Sequence, residues 1–268
     1  MSVQKDPSGR RSVQVEVEVP GSPEEVWRAI ATGPGISSWF VPTRMEERKG
    51  GEIISTFGPG MDCPATITEW EALKRFVAEA TMGPPGSPAV ATEWSVEARA
   101  GGKCLVRVVH SLFASNDDWD NQLDGLEKGW PAIFRILRRY LESFRGMECS
   151  AMQFISFATD SEAKTWEKLG GELGLRNVAA GQKWSTPAGV PRMAGASLGD
   201  GMNANTVLIG LDAPVPGTSY IGAFSCGGMV QVYIAIYLYG PNAKAAAQRD
   251  EPHWQRWMGE RFPMPQMG

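Results

Sequence analysis

Valines at positions 13, 15, 17 and 19 alternate with Gln14, Glu16 and Glu18, which predicts a strand over Ser12–Val19 with one wet face. Ser22-Pro23-Glu24-Glu25 follows in the order of a capping box, with a hydroxyl at the N-cap, proline at the first helical position and a carboxylate at the third. The short helix it opens turns Val26, Trp27 and Ile30 inward, and Gly33-Pro34-Gly35 is expected to stop it. A second helical turn over Ile36–Phe40 brings Trp39 and Phe40 together. Strands are predicted over Glu52–Phe57, Ala65–Trp70, Arg75–Thr81, Thr92–Ala98 and Cys104–Leu112. Glycine- and proline-rich turns at 58–60, 83–86 and 100–102 separate them, so an antiparallel sheet is expected. A helix over Trp119–Phe144 then carries Leu123, Leu126, Trp130, Ile133, Leu137, Leu141 and Phe144 at spacings of three and four.

The second half repeats this order in shortened form. Ala151–Ala158 reads as a strand. Thr159-Asp160-Ser161-Glu162 caps a helix carrying Ala163, Trp166 and Leu169 and ending at Gly170-Gly171. Strands over Thr206–Leu211 and Met229–Tyr239 flank turn-rich stretches, and a last helix runs over His253–Phe262 with Trp254, Trp257 and Met258. Between Gly174 and Gly210 the pattern is weak, and strands and a long loop are both open. In Met229–Tyr239 one face is aliphatic and the other carries Tyr233, Tyr237 and Tyr239, expected to pack on the first domain, with the lining of a second pocket as the alternative. Charge also divides the chain: 17 basic and 20 acidic residues fall in 1–146, but 9 and 10 in 147–268. With Gly146 as a helix C-cap, the expected domains are 1–146 and 147–268.

Composition narrows the function. The 268 residues are 43% hydrophobic and 21% charged, as in folded domains, and the net charge of −4 gives no footprint for nucleic acid and no polybasic membrane patch. The longest apolar run lies inside Met229–Tyr239, too short for membrane insertion as a helix. Met1–Arg11 is polar, unlike a signal peptide, and a cytoplasmic protein is expected. Cys63, Cys104, Cys149 and Cys226 have no metal-ligand spacing, and the only histidines are His110 and His253. No metal or other cofactor is expected, and the cysteines read as small buried hydrophobes. The acidic cluster Asp117-Asp118-Trp119-Asp120 with Asp124 reads as a helix start rather than a metal site. Glu69 and Glu79 are expected to face solvent rather than form an acid–base pair. There is no G-x-S-x-G elbow for a hydrolase, and no catalytic residue is assigned. The glycines at 199–201 and 227–228 read as turns, and His253 as a surface or interface residue.

Ser22-Pro23-Glu24-Glu25-Val26-Trp27 and Ile36-Ser37-Ser38-Trp39-Phe40 are similar to the start of the START/polyketide-cyclase (SRPBCC) superfamily. The resemblance is to the branch named after the C-terminal domain of the activator of the heat-shock protein 90 ATPase. Phe57-Gly58-Pro59-Gly60-Met61, Thr68-Glu69-Trp70, Thr92-Glu93-Trp94, Val106–Ser111 and Gly129-Trp130-Pro131 continue it in order over residues 12–146. The resemblance implies an α+β helix-grip fold, a curved antiparallel sheet around a long C-terminal helix with a cavity between them. Residues 147–268 are expected to be a smaller α+β domain, resembling a C-terminal extension and by element order a degenerate second copy. The family implies small apolar ligands, or partner proteins, more than any one reaction, and supplies no universal catalytic residue.

Alternation then selects the cavity wall. Cys104, Val106, Val108, His110 and Leu112 share the uncharged face of their strand, and Thr92, Trp94, Val96 and Ala98 that of the preceding one. A pairing near Val96–Val108 places Trp94 beside His110, with Trp130 as the neighbour from the helix. The expected ligand-binding set is Trp39, Phe40, Trp94, Val108, His110, Trp130, Phe134 and Leu137. His110 either orients a ligand's polar end or is a buried histidine bonded to Trp94, a tyrosine or a carbonyl. Three functions stay open: binding of a small hydrophobic or amphipathic molecule; a protein-interaction, co-chaperone-like module with a protein partner or a homodimer; and a cyclase or dehydratase using His110.

Overall fold

The valine ladder is a strand in the computed structural model, which describes residues 3–58, 60–81, 87–113, 120–226 and 228–265; for 120–122, 124–128 and 226 the backbone alone is described. The chain divides into two compact units, Met1–Arg145 and Gly146–Gly268. In the first, β1 (Gln4–Lys5) and β2 (Arg10–Pro20) lead into α1 (Pro23–Ile30) and α2 (Gly33–Ser37). Six strands follow: β3 (Thr43–Met45), β4 (Glu52–Thr56), β5 (Asp62–Glu71), β6 (Arg75–Thr81), β7 (Ala89–Arg99) and β8 (Lys103–Phe113). The unit ends in α3 (Asp120–Ser143), which packs against β2 and β8. The strands form one antiparallel sheet in the order β1-β2-β8-β7-β6-β5-β4-β3.

The capping box is present. The Glu25 amide donates to Ser22 Oγ at 3.3 Å, and the Ser22 amide donates to Glu25 Oε2 at 2.8 Å. Gly33-Pro34-Gly35 does not merely stop α1, as expected, but forms the first turn of α2. Thr32 Oγ1 accepts from the Gly35 amide at 3.0 Å and caps it, and proline fits there because it has no N–H to lose. A Cβ at Gly35 would lie 1.9 Å from the Arg28 carbonyl oxygen, so glycine permits the close turn from α1 into α2.

The second unit runs β9 (Cys149–Ala158), α4 (Glu162–Glu172), β10 (Lys183–Ser185), β11 (Ala194–Asp200), β12 (Thr206–Ala213), β13 (Gly217–Cys226), β14 (Met229–Tyr239) and α5 (Ala243–Arg261). Its antiparallel sheet has the order β10-β11-β12-β13-β14-β9. α5 packs on β9 and β14, and α4 on β13 and β14. The core joins Met152, Phe154, Ile234 and Ile236 to Leu169, Trp254 and Trp257. The tyrosine face of β14 is also covered, with Tyr237 and Tyr239 buried. The weakly patterned stretch from Gly174 therefore holds β10 and β11, and α5 begins ten residues before the expected start. Buried Ala243, Ala246 and Ala247 form that first part of α5, and residues so small leave little hydrophobic period to read.

Both units are α+β with one topology. In each, the first long strand lies beside the last strand of a meander, β2 beside β8 and β9 beside β14, and a C-terminal helix follows. The first unit is a helix-grip fold and the second a reduced version of it. Among the described residues no helix is long and apolar enough to cross a membrane.

Candidate functional site

The hairpin of β7 and β8 sets the site. Arg99 pairs with Lys103 across a three-residue turn in which Gly101 and Gly102 take φ of +77° and +70°. This tight closure pairs Val96 with Val106, Trp94 with Val108 and Thr92 with His110. The expected Val96–Val108 register is thus corrected by two residues, and Trp94 is not the cross-strand partner of His110. The reason is local: two consecutive left-handed glycines shorten the connection.

His110 is 6% exposed and points inward. Trp130 Nε1 donates to its Nε2 at 2.7 Å, and its Nδ1 lies 2.9 Å from Thr92 Oγ1. An indole N–H can only donate, so Nε2 accepts, and the neutral ring carries its proton on Nδ1, donating to Thr92. Burial holds the imidazole neutral by lowering its pKa to about 4. The indole of Trp130 and the imidazole lie within 22° of parallel, with ring centres 5.8 Å apart.

Around this pair the structure gathers the predicted aromatics. Trp94 meets Trp130 edge-on at 5.1 Å and reaches Trp39 at 6.0 Å and Phe134 at 6.3 Å. Phe40 lies 5.4 Å from Trp130 and 5.7 Å from Trp39. Trp39 is anchored by its Nε1, which donates to the Ala29 carbonyl at 2.8 Å. Val108 is buried opposite Trp94, and Leu137 is buried on α3. Three neighbours were not predicted. Thr92 was placed inward but not as a bonding partner. Phe57 touches Phe40 at 5.7 Å, and Phe76 stacks on Trp94 at 6.5 Å. Phe76 was findable, because it pairs directly with Trp94 in the β6–β7 register. Phe40 and Phe57 are half-buried and form the cluster's wetter side.

The other candidates fall away from this site. Glu69 and Glu79 are exposed; Glu69 pairs with Arg75, which also holds Glu93 at 2.8 Å. His253 is exposed on α5. Cys63, Cys104 and Cys149 are unpaired, and burial raises each thiol's pKa, that of Cys149 to about 12, the opposite of activation. The cluster Asp117-Asp118-Trp119 lies outside the described residues, as do the side chains of Asp120, Asp124 and Cys226.

Residues 20–142 match the family described as activator of Hsp90 ATPase homolog 1-like protein. No curated protein matches the chain. Among solved structures, the chain is similar to the di-domain ARO/CYC BexL from the BE-7585A biosynthetic pathway, at 11% identity over 95% of this chain and 99% of that one, with a TM-score of 0.46. It is similar to DynU16, a protein of the dynemicin biosynthetic locus, at 16% identity over 92% and 94%, with a TM-score of 0.43. It is also similar to the Aha1 dimer from Colwellia psychrerythraea, at 17% identity over 49% and 96%, with a TM-score of 0.40. Residues 20–142, which make up most of the first unit, thus form a domain similar to the activator of Hsp90 ATPase homolog 1-like family, and the second unit lies outside that match.

Proposed function

We propose that the first unit binds a small hydrophobic or amphipathic molecule between its sheet and α3, against Trp39, Phe40, Trp94, Val108, His110, Trp130, Phe134 and Leu137. The observation that carries this reading is the Thr92–His110–Trp130 chain of hydrogen bonds inside an otherwise aromatic cluster. Apolar pockets gain specificity from a few fixed polar groups, and a neutral imidazole aligned by a donor and an acceptor is such a group. A ligand carbonyl or hydroxyl accepts from the Trp130 N–H, or a ligand hydroxyl donates to the His110 Nε2. Its apolar body enters by parting the half-buried rings Phe40 and Phe57. The bonding partners of His110 are a hydroxyl and an indole, which supports binding rather than acid–base catalysis. On this reading 1–146 and 147–268 are two domains, and the protein works in the cytoplasm, where unpaired cysteines stay reduced.

Native mass spectrometry against a lipid and metabolite panel tests this. The wild type is expected to form a one-to-one adduct. Trp94→Ala, His110→Ala and the rim variant Phe40→Ala are each expected to weaken it at least tenfold. Absence of any adduct with the wild type, or an adduct unchanged in all the variants, would overturn the reading and favour the protein-partner alternative.

A further inference from the structure

We propose that the second unit carries a cleft for a small soluble oxyanion of the phosphate-monoester class, at the C-terminal ends of α4 and α5. The cleft is open to solvent and offers about 430 Å³ between Lys168, Glu172, Arg176 and Arg261 on one side and the turn 187–190 on the other. Three of the nine basic residues in 147–268 meet there, against one lining carboxylate, in a chain whose net charge is −4.

Each cation is held by contacts that use only part of its donors. Lys168 Nζ donates to the Arg261 carbonyl at 2.6 Å and sits 4.6 Å over the Phe262 ring, which leaves two ammonium hydrogens. Arg261 Nε meets Glu172 at 3.3 Å and keeps its two terminal nitrogens. Arg176 Nη2 donates to the Glu167 carbonyl at 3.3 Å, with the Glu167 carboxylate 3.9 Å away.

Arg176, whose side chain is 61% exposed, lies against the backbone at Gly171. A Cβ at Gly171 would fall 2.7 Å from Nη2 and 3.0 Å from both Cζ and Nε, so the guanidinium lies where any side chain at 171 would have to be. The facing wall is uncharged, made by Pro187, Ala188, Gly189 and Val190. Helix C-termini attract cations, which accounts for Lys168 on the last carbonyl of α5. It does not account for two guanidinium groups converging with it. Arginine presents planar donor forks that match phosphate oxygens.

The test is amide NMR of the full chain titrated with inorganic phosphate and with phenyl phosphate, at an ionic strength fixed with sodium chloride. Saturable shifts are expected at Gly171, Gly189 and Val190. The Arg176→Gln, Arg261→Gln double variant is expected to weaken them at least tenfold while its other resonances keep their positions. Gly171→Ala, which keeps every charge but displaces the guanidinium, is expected to weaken them too. Lys244→Gln, at the far end of α5, is expected to change nothing. Shifts that do not saturate, or that persist unweakened in the double variant, would overturn the proposal.

Discussion

At the residue scale, His110 shows what alternation can and cannot specify. Its inward direction follows from the charges on the opposite face of β8. Its partners do not, because they depend on the φ of Gly101 and Gly102, which set the register, and on the turn of α3 that brings Trp130 over it. The same burial makes a pH prediction. Unfolded, the imidazole titrates near 6.5; folded, near 4. Between those values the unfolded chain binds a proton that the folded chain does not. Stability is therefore full above pH 6.5 and falls as pH drops toward 4, by about 2–3 kcal/mol at pH 4.5. His110→Gln keeps an acceptor for Trp130 and a donor for Thr92 but cannot titrate. Urea unfolding at pH 7 and pH 4.5 is expected to show that much less acid loss in His110→Gln than in the wild type. An equal loss in both would remove His110 as the responsible group.

At the element scale, strands with strict alternation were legible and strands interrupted for packing reasons were not. In β5 the register shifts between Ile67 and Glu69, so Ile67 and Trp70, three residues apart, both pair with inward residues, Ala78 and Phe76. That bulge brings residues of opposite parity to one face of β5, which strict alternation cannot show. β13 was hidden by Gly217 and Gly222, which stand where a Cβ would lie 2.3 Å from the Tyr237 carbonyl oxygen and 2.5 Å from Thr206 Cγ2. In β11 the same effect is extreme, since a Cβ at Gly195 would sit 1.9 Å from the Gly210 carbonyl oxygen. That oxygen is backbone in a paired strand and cannot move aside without opening the β11–β12 ladder. Gly195→Ala is expected to cost about 2–4 kcal/mol, as overpacking against a fixed neighbour does. Gly259→Ala makes the opposite case: it lies inside α5 with nothing within 4 Å, and the gain in helix propensity is expected to stabilise by about 0.5–1 kcal/mol. Thermal unfolding of the two variants separates these signs, and a Gly195→Ala protein as stable as the wild type would contradict the packing argument.

At the scale of the whole molecule, the legible feature was order: strand, helix, strands, long helix, twice. The sequence pattern carried that repeat, but strand adjacency is non-local. That β2 lies beside β8 and β9 beside β14 is decided by which edges of each meander remain open, and no window of residues records it. The repeat makes the first unit complete in itself. Its sheet, its capping box, the Arg145–Glu25 pair at 2.7 Å and every hydrogen bond described for His110 lie within 1–145. A chain of that length buries enough apolar surface to fold without a partner. Residues 1–146 expressed alone are therefore expected to give a dispersed amide NMR spectrum. They are also expected to keep the near-ultraviolet circular dichroism of the packed indoles Trp39, Trp94 and Trp130, and to reproduce the acid sensitivity predicted for His110. A collapsed spectrum with no aromatic dichroism would mean that the aromatic cluster is not held by the first unit's own sheet and helix, and the reading of 1–146 as a self-sufficient domain would fail.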